Sequence, residues 1–121
     1  MRLQESGEMY LESIYVLSQN GGHVRSIDIS EYMGYSKPSV SRAVSLLKSG
    51  GYIVMDEDNF IHLTEAGLEI ARKIYERHTV LTAMLVRMGV SEATAAEDAC
   101  RMEHAISDET VEAIKGHIGT V

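Results

Sequence analysis

The sequence holds one cysteine, one proline, one phenylalanine and no tryptophan in 121 residues. A single cysteine cannot close an internal disulfide, so a disulfide-stapled scaffold is excluded and a reducing cytoplasm is the simplest expectation. No apolar run approaches the roughly 20 residues that span a bilayer. The start, Met1-Arg2-Leu3-Gln4-Glu5, has no apolar signal core, so neither membrane insertion nor export is expected. Internal repeats, low-complexity tracts and a glycine-rich phosphate loop are all missing; the Gly-Gly pairs fall at predicted helix ends. Positive charge is scarce too. The 11 Lys and Arg against 18 Asp and Glu leave a formal net charge of −7. That argues against a broad polyanion-binding surface and puts the weight on where the cations stand.

Hydrophobic residues make up 45% of the chain, enough for one or two small cored domains. Tyr10, Ile14 and Leu17 recur at helical spacing and predict a first helix over about Gln4–Ser18, ended by Gly21-Gly22. Ser26 reads as the N-cap of a short helix to Met33, with Ile29, Tyr32 and Met33 turned inward. Gly34-Tyr35-Ser36 then makes a tight turn, and Ser36 caps a helix over about Lys37–Lys48 with Pro38 in its first turn. That is helix-turn-helix spacing. Val40, Ala43, Val44 and Leu47 form the inward stripe. The other side carries Lys37, Ser39, Ser41, Arg42 and Ser45, with no carboxylate, in a chain that is otherwise acidic. Such a face suits phosphates and base edges in a major groove; an ordinary polar surface is the plain alternative.

Two β-rich runs, Tyr52–Met55 and Phe60–Leu63, flank Asp56-Glu57-Asp58-Asn59 and predict a hairpin where a winged helix carries its wing. Its acidic tip should repel phosphates. Thr64 caps a long helix to about Met88, along which Leu68, Ala71, Ile74, Tyr75, Leu81 and Leu85 keep the helical period. Gly89 ends it, Ser91 caps the next helix, and Ser107-Asp108-Glu109 starts a last one to about Ile118.

The chemistry gathers at Cys100-Arg101-Met102-Glu103-His104. On a helix, positions i, i+3 and i+4 share a face, so Cys100, Glu103 and His104 converge. Thiolate, carboxylate and imidazole together suit a borderline-soft divalent transition metal. The plain alternative is a buried cysteine beside a solvated Glu–His pair. Met9 and Glu12 share a face of the first helix, where core filling and surface charge are the ordinary roles. His78 lies midway along the long helix, where a lone histidine is usually structural.

The order helix, helix-turn-helix, wing, long helix and two further helices carries a run of short phrases. They are Gly7-Glu8-Met9-Tyr10-Leu11-Glu12, Ser36-Lys37-Pro38-Ser39-Val40, Leu63-Thr64-Glu65-Ala66-Gly67, Arg77-His78 and Cys100-Arg101-Met102-Glu103-His104. Together they resemble the diphtheria-toxin-repressor (DtxR/MntR) family of metal-activated bacterial repressors, across essentially the whole chain. The resemblance implies a mainly α fold. Residues 1–63 would be a winged helix-turn-helix DNA-binding domain with a small β-hairpin wing, and residues 64–121 a helical metal-binding and dimerisation domain. It implies a cytoplasmic homodimer on double-stranded operator DNA, read by Ser36, Lys37, Pro38, Ser39, Ser41 and Arg42, and no catalytic residue.

Met9, Cys100, Glu103 and His104 match the primary metal site of the iron-responsive branch, and Glu12 and His78 match ligand positions of the manganese branch; His78 also matches the histidine of the iron branch's ancillary site. Met9 and Cys100 stand where the manganese branch has acidic residues. Soft thioether and thiolate donors favour Fe²⁺ over Mn²⁺, which prefers hard oxygens; Mn²⁺ or another divalent transition metal is the second choice. Thr82, and Ala96 at about the matching position, replace two ancillary-site residues of the iron branch, with Glu97 and Asp98 following as alternative donors, and Ala105 replaces a second histidine of the manganese branch. The sequence ends at Val121, before the SH3-like third domain of many iron-type members, and reads either as a two-domain member or as part of a longer chain. The competing readings are a metal-independent winged-helix regulator and, behind it, a small metalloenzyme.

Overall fold

Helical spacing and capping residues set most element boundaries. In the computed structural model, which describes residues 5–118, α1 spans Glu5–Gly21 and buries Tyr10, Leu11, Ser13 and Ile14. The expected start at Gln4 lies outside the described residues, and the helix continues past Ser18 to end against Gly22. Helix α2 (Ser26–Met33) is capped by Arg25, not by Ser26 as expected. The Arg25 N–H donates to Asp28 Oδ2 at 2.8 Å, so a carboxylate inside the first turn reaches back to satisfy the entry. Ile29 and Met33, four residues apart, face the core. Tyr32, expected inward, is 53% exposed, because it lies about 100° round the helix from Met33.

Gly34 takes the left-handed conformation (φ 73°) that stops α2. The Ser30 hydroxyl donates to Tyr35 O at 2.6 Å and ties down the turn. Helix α3 (Lys37–Ser49) starts on Ser36, whose Oγ accepts the Ser39 N–H, and buries Val40, Val44 and Leu47. Strands β1 (Ile53–Met55) and β2 (Ile61–Leu63) pair antiparallel with Ile53 opposite Leu63 and Met55 opposite Ile61. Tyr52 and Phe60, expected as first strand residues, stand just outside. The Ile61 N–H donates to Val24 O at 2.7 Å, fastening the hairpin to the α1–α2 link. Helix α4 (Glu65–Arg87) begins on Thr64, whose hydroxyl accepts from the Gly67 N–H and donates to Gly51 O. Gly67 sits so close to the hairpin that a Cβ there would stand 2.1 Å from Tyr52 O.

Contacts divide the chain into two compact units, one through Arg72 and one from Lys73, so the division falls inside α4. The first unit is a winged helix whose core joins Leu11, Ile14, Val24, Ile29, Val40, Leu47, Ile53 and Ile61. The second holds the rest of α4 with α5 (Glu92–Met102) and α6 (Asp108–Ile118). It buries Ile74, Val80, Leu81, Ala95, Ala99, Val111 and Ile118. Tyr75, expected in the inward stripe, is 43% exposed because Ile74 and Leu81 set the buried face beside it. Ser91 caps α5 and Ser107 caps α6, each hydroxyl accepting an N–H three residues on. Helix α5 stops at Met102, so Glu103 and His104 stand in the following turn and not in a helix as expected. Glu103 keeps right-handed helical angles (φ −61°, ψ −26°), which preserves the direction that the helical spacing assumed. Among the described residues, no helix is long and apolar enough to cross a membrane.

Candidate metal centre and DNA-facing surface

Glu103 is wholly buried, a costly place for a carboxylate unless its oxygens are matched. His78, delivered by α4, donates its Nδ1–H to Glu103 Oε2 at 2.9 Å. Glu103 Oε1 is buried with no hydrogen bond. It stands 3.4 Å from Nε2 of His104, whose side chain is only 1% exposed. Two donors each about 2.1 Å from one divalent cation lie about 3.0–3.4 Å apart in octahedral or tetrahedral geometry. The unmatched oxygen and this spacing therefore both fit a cation. With Nδ1 directed at Glu103, Nε2 is the His78 atom left to face a cation, the arrangement in which a carboxylate orients an imidazole for metal binding.

Cys100 lies half-buried on α5, three residues before Glu103. Met9 and Glu12 lie half-buried on one face of α1 in the first unit. Within the second unit, then, His78, Glu103 and His104 come together around one carboxylate, with Cys100 a helical turn away.

Arg77 has a part in this region that its place in the sequence does not announce. Its Nη1 donates to Glu103 O at 3.1 Å and also to Ile106 O, while Nη2 donates to Asp108 Oδ1. Lys73 reaches the same carboxylate. The Arg77 hydrogen bond first, and the Lys73 one after it, hold the Asp108 carboxyl below the ordinary carboxylate range. Partners 26 to 31 residues away leave no periodic signal in a sequence. The only hint is a cation beside His78.

On the helix-turn-helix, Ser36, Lys37, Pro38, Ser41 and Arg42 are exposed and Ser39 is half-buried. Leu46, one turn after Arg42, is 74% exposed. The polar pattern of the outward face hides this apolar side chain, which suits contact with a thymine methyl.

At the wing tip, Asp56 is a turn-former as well as a charge. Its Oδ1 accepts from the Asp58 and Phe60 N–H groups, and its Oδ2 accepts from His62 Nε2–H at 2.8 Å. The His62 hydrogen bond chiefly, with the two backbone N–H groups, holds its carboxyl below the usual range against the opposing effect of burial. Glu57 and Asp58 stay exposed.

Two family models match the chain: "Iron dependent repressor, N-terminal DNA binding domain" over residues 2–59, and "Iron dependent repressor, metal binding and dimerisation domain" over residues 64–121. An uncharacterised HTH-type transcriptional regulator of Methanocaldococcus jannaschii is 34% identical over 115 residues, 93% of this chain and 92% of that protein. The transcriptional regulator MntR of Escherichia coli is 34% identical over 106 residues, 88% of this chain and 68% of that protein. Among solved structures, the manganese regulator SloR superposes with a TM-score of 0.83 at 28% identity, over 98% of this chain. The chain spans 54% of that structure's length.

Proposed function

Given that the chain belongs to the iron dependent repressor family of metal-dependent transcriptional regulators, we propose that it is a cytoplasmic homodimer that represses by binding operator DNA when loaded with Fe²⁺. Membership of a family of regulators sets aside the small metalloenzyme. The observation that carries the reading is the buried Glu103 carboxylate, with one oxygen on His78 and the other unmatched beside His104. Met9, Glu12, His78, Cys100, Glu103 and His104 are the proposed ligands. Residues 1–63 are assigned to DNA and 64–121 to metal and dimerisation; the matched segments 2–59 and 64–121 support that division.

Bound there, the cation supplies the positive charge that lets thioether, thiolate, carboxylate and imidazole donors share one place. Met9 and Glu12 would bring α1 into that shell, and binding would favour the DNA-competent arrangement by differential affinity. Ser36, Lys37, Pro38, Ser39, Ser41 and Arg42 then meet the groove and its phosphates, and the dimer matches half-sites about one helical turn apart or a multiple of it.

Two soft donors, Met9 and Cys100, favour Fe²⁺. The names MntR and SloR among the similar proteins favour Mn²⁺ as the second reading. An anaerobic gel shift on the DNA upstream of this protein's own gene, with Fe²⁺, Mn²⁺ or chelator, tests both. A shift with Fe²⁺ that chelator abolishes and Mn²⁺ does not reproduce supports the iron reading. Equal shifts with both metals replace it by the manganese-compatible one. A shift that ignores metal, or one that Glu103→Gln leaves unchanged, defeats the proposed site.

A further inference from the structure

Resting on the reading of Glu103 and His104 as metal ligands, we propose that Arg77 is a positioning residue for the metal centre. Its guanidinium holds the turn after α5 in the shape that presents both ligands to one cation. Arg77 is a neighbour of His78 on α4, and the two grip opposite ends of one residue. His78 takes the Glu103 carboxylate and Arg77 takes the Glu103 carbonyl.

The same guanidinium reaches Ile106 O, on the far side of His104, and Asp108, the first residue of α6. The ligand-bearing turn is thus held at its start, at its end and at the helix that follows. The N–H groups of Ala105 and Ile106 both return to Met102 O. The Glu103 carbonyl, left over at the C-terminal end of α5, and the Ile106 carbonyl in the turn beyond it are both taken up by Arg77. The side chain is only 11% exposed, and its Nε is buried without a partner. A buried charge with one donor left unmatched is a poor device for stability alone. A lysine could not replace it, because one ammonium on a flexible stem lacks the planar fork that spans three acceptors.

Anaerobic titration of the full chain with Co²⁺, read by ligand-field absorption, tests this. Melting temperatures in chelator are measured alongside. The comparison is wild type, Arg77→Lys, Asp108→Asn and Val111→Ala, the last trimming the buried side of α6 without touching the turn. Arg77→Lys should bind Co²⁺ about 10–100-fold more weakly, the usual loss for an outer-shell partner, and its ligand-field bands should shift. Asp108→Asn should lose affinity a few-fold. Val111→Ala should melt lower yet bind Co²⁺ with the wild-type affinity and spectrum.

Wild-type affinity and bands in Arg77→Lys overturn the proposal. So does an equal affinity loss in Val111→Ala, which would make the effect one of stability. Should Arg77→Lys fail to fold, Asp108→Asn decides, and wild-type affinity there overturns it. A wild-type chain that takes up no Co²⁺ overturns the metal reading itself, and this inference with it.

Discussion

Glu103 carries an electrostatic conflict that a bound cation would resolve. Its carboxylate is fully buried and half matched, so in the metal-free protein part of its desolvation is uncompensated. Glu103→Gln keeps the shape and removes the charge. Metal affinity should fall by more than the roughly 10–100-fold that an outer-shell change costs. The melting temperature in chelator should hold or rise. Adding metal should raise the wild-type melting temperature, by about 2.7 kcal/mol of stability when free metal is 100 times Kd, and leave the variant unmoved. A clear fall of the variant's melting temperature in chelator would show that the His78–Glu103 pair is structural first.

Asp56 gives a second prediction at this scale. Its folded carboxyl is held below the ordinary range, chiefly by His62. Its stabilising effect is therefore fully present above the unfolded carboxylate value of about 4 and lost as pH falls through the depressed folded value. Hairpin amide resonances followed from neutral to acid pH should move together in that window, and Asp56→Ala should abolish the transition.

Among the elements, α4 is placed by a close approach. Gly67→Ala would drive a Cβ into Tyr52 O at 2.1 Å. Because the obstacle is backbone, the change should destabilise by about 1–3 kcal/mol or more. Gly116, in α6, has nothing within 4 Å of where a Cβ would stand. It should behave oppositely, and Gly116→Ala should stabilise by about 0.5–1 kcal/mol. Urea midpoints of the two variants check both signs.

These elements were largely legible because their signals are local. Ser36, Thr64, Ser91 and Ser107 each cap a helix where their spacing predicts. Arg25 escaped notice because its cap is made by the Asp28 carboxylate and not by its own side chain. Tyr32 and Tyr75 mislead because an aromatic about 100° off the buried line still resembles a member of it. The i, i+3, i+4 spacing anticipated the direction of Glu103 although α5 ends at Met102, since Glu103 keeps helical angles. The Arg77 grip on that turn was illegible, because it depends on how α4 and the α5–α6 turn pack and on nothing periodic.

For the whole molecule the governing quantity is a net charge of −7. An acidic chain approaches DNA against long-range repulsion, so non-specific affinity should be low, and on the proposed reading much of the affinity comes from the few cations of α3, Lys37 and Arg42 among them. Arg42→Ala should weaken operator binding and flatten its salt dependence by about one phosphate contact, close to 0.9 in the logarithmic slope, while metal affinity stays at the wild-type value. A gel-shift salt series and a metal titration read the two effects separately.

The wing adds a different kind of consequence. Asp56 holds the shape of the tip through two backbone N–H groups and His62, while Glu57 and Asp58 supply its exposed charge. Part of the tip's charge, that of Glu57 and Asp58, is therefore separable from its shape. Glu57→Lys combined with Asp58→Lys would turn a repelling wing into a gripping one without unmaking the hairpin. Two codons would thus add 4 to the net charge, taking it from −7 to −3, with the hydrogen bonds that shape the tip left in place.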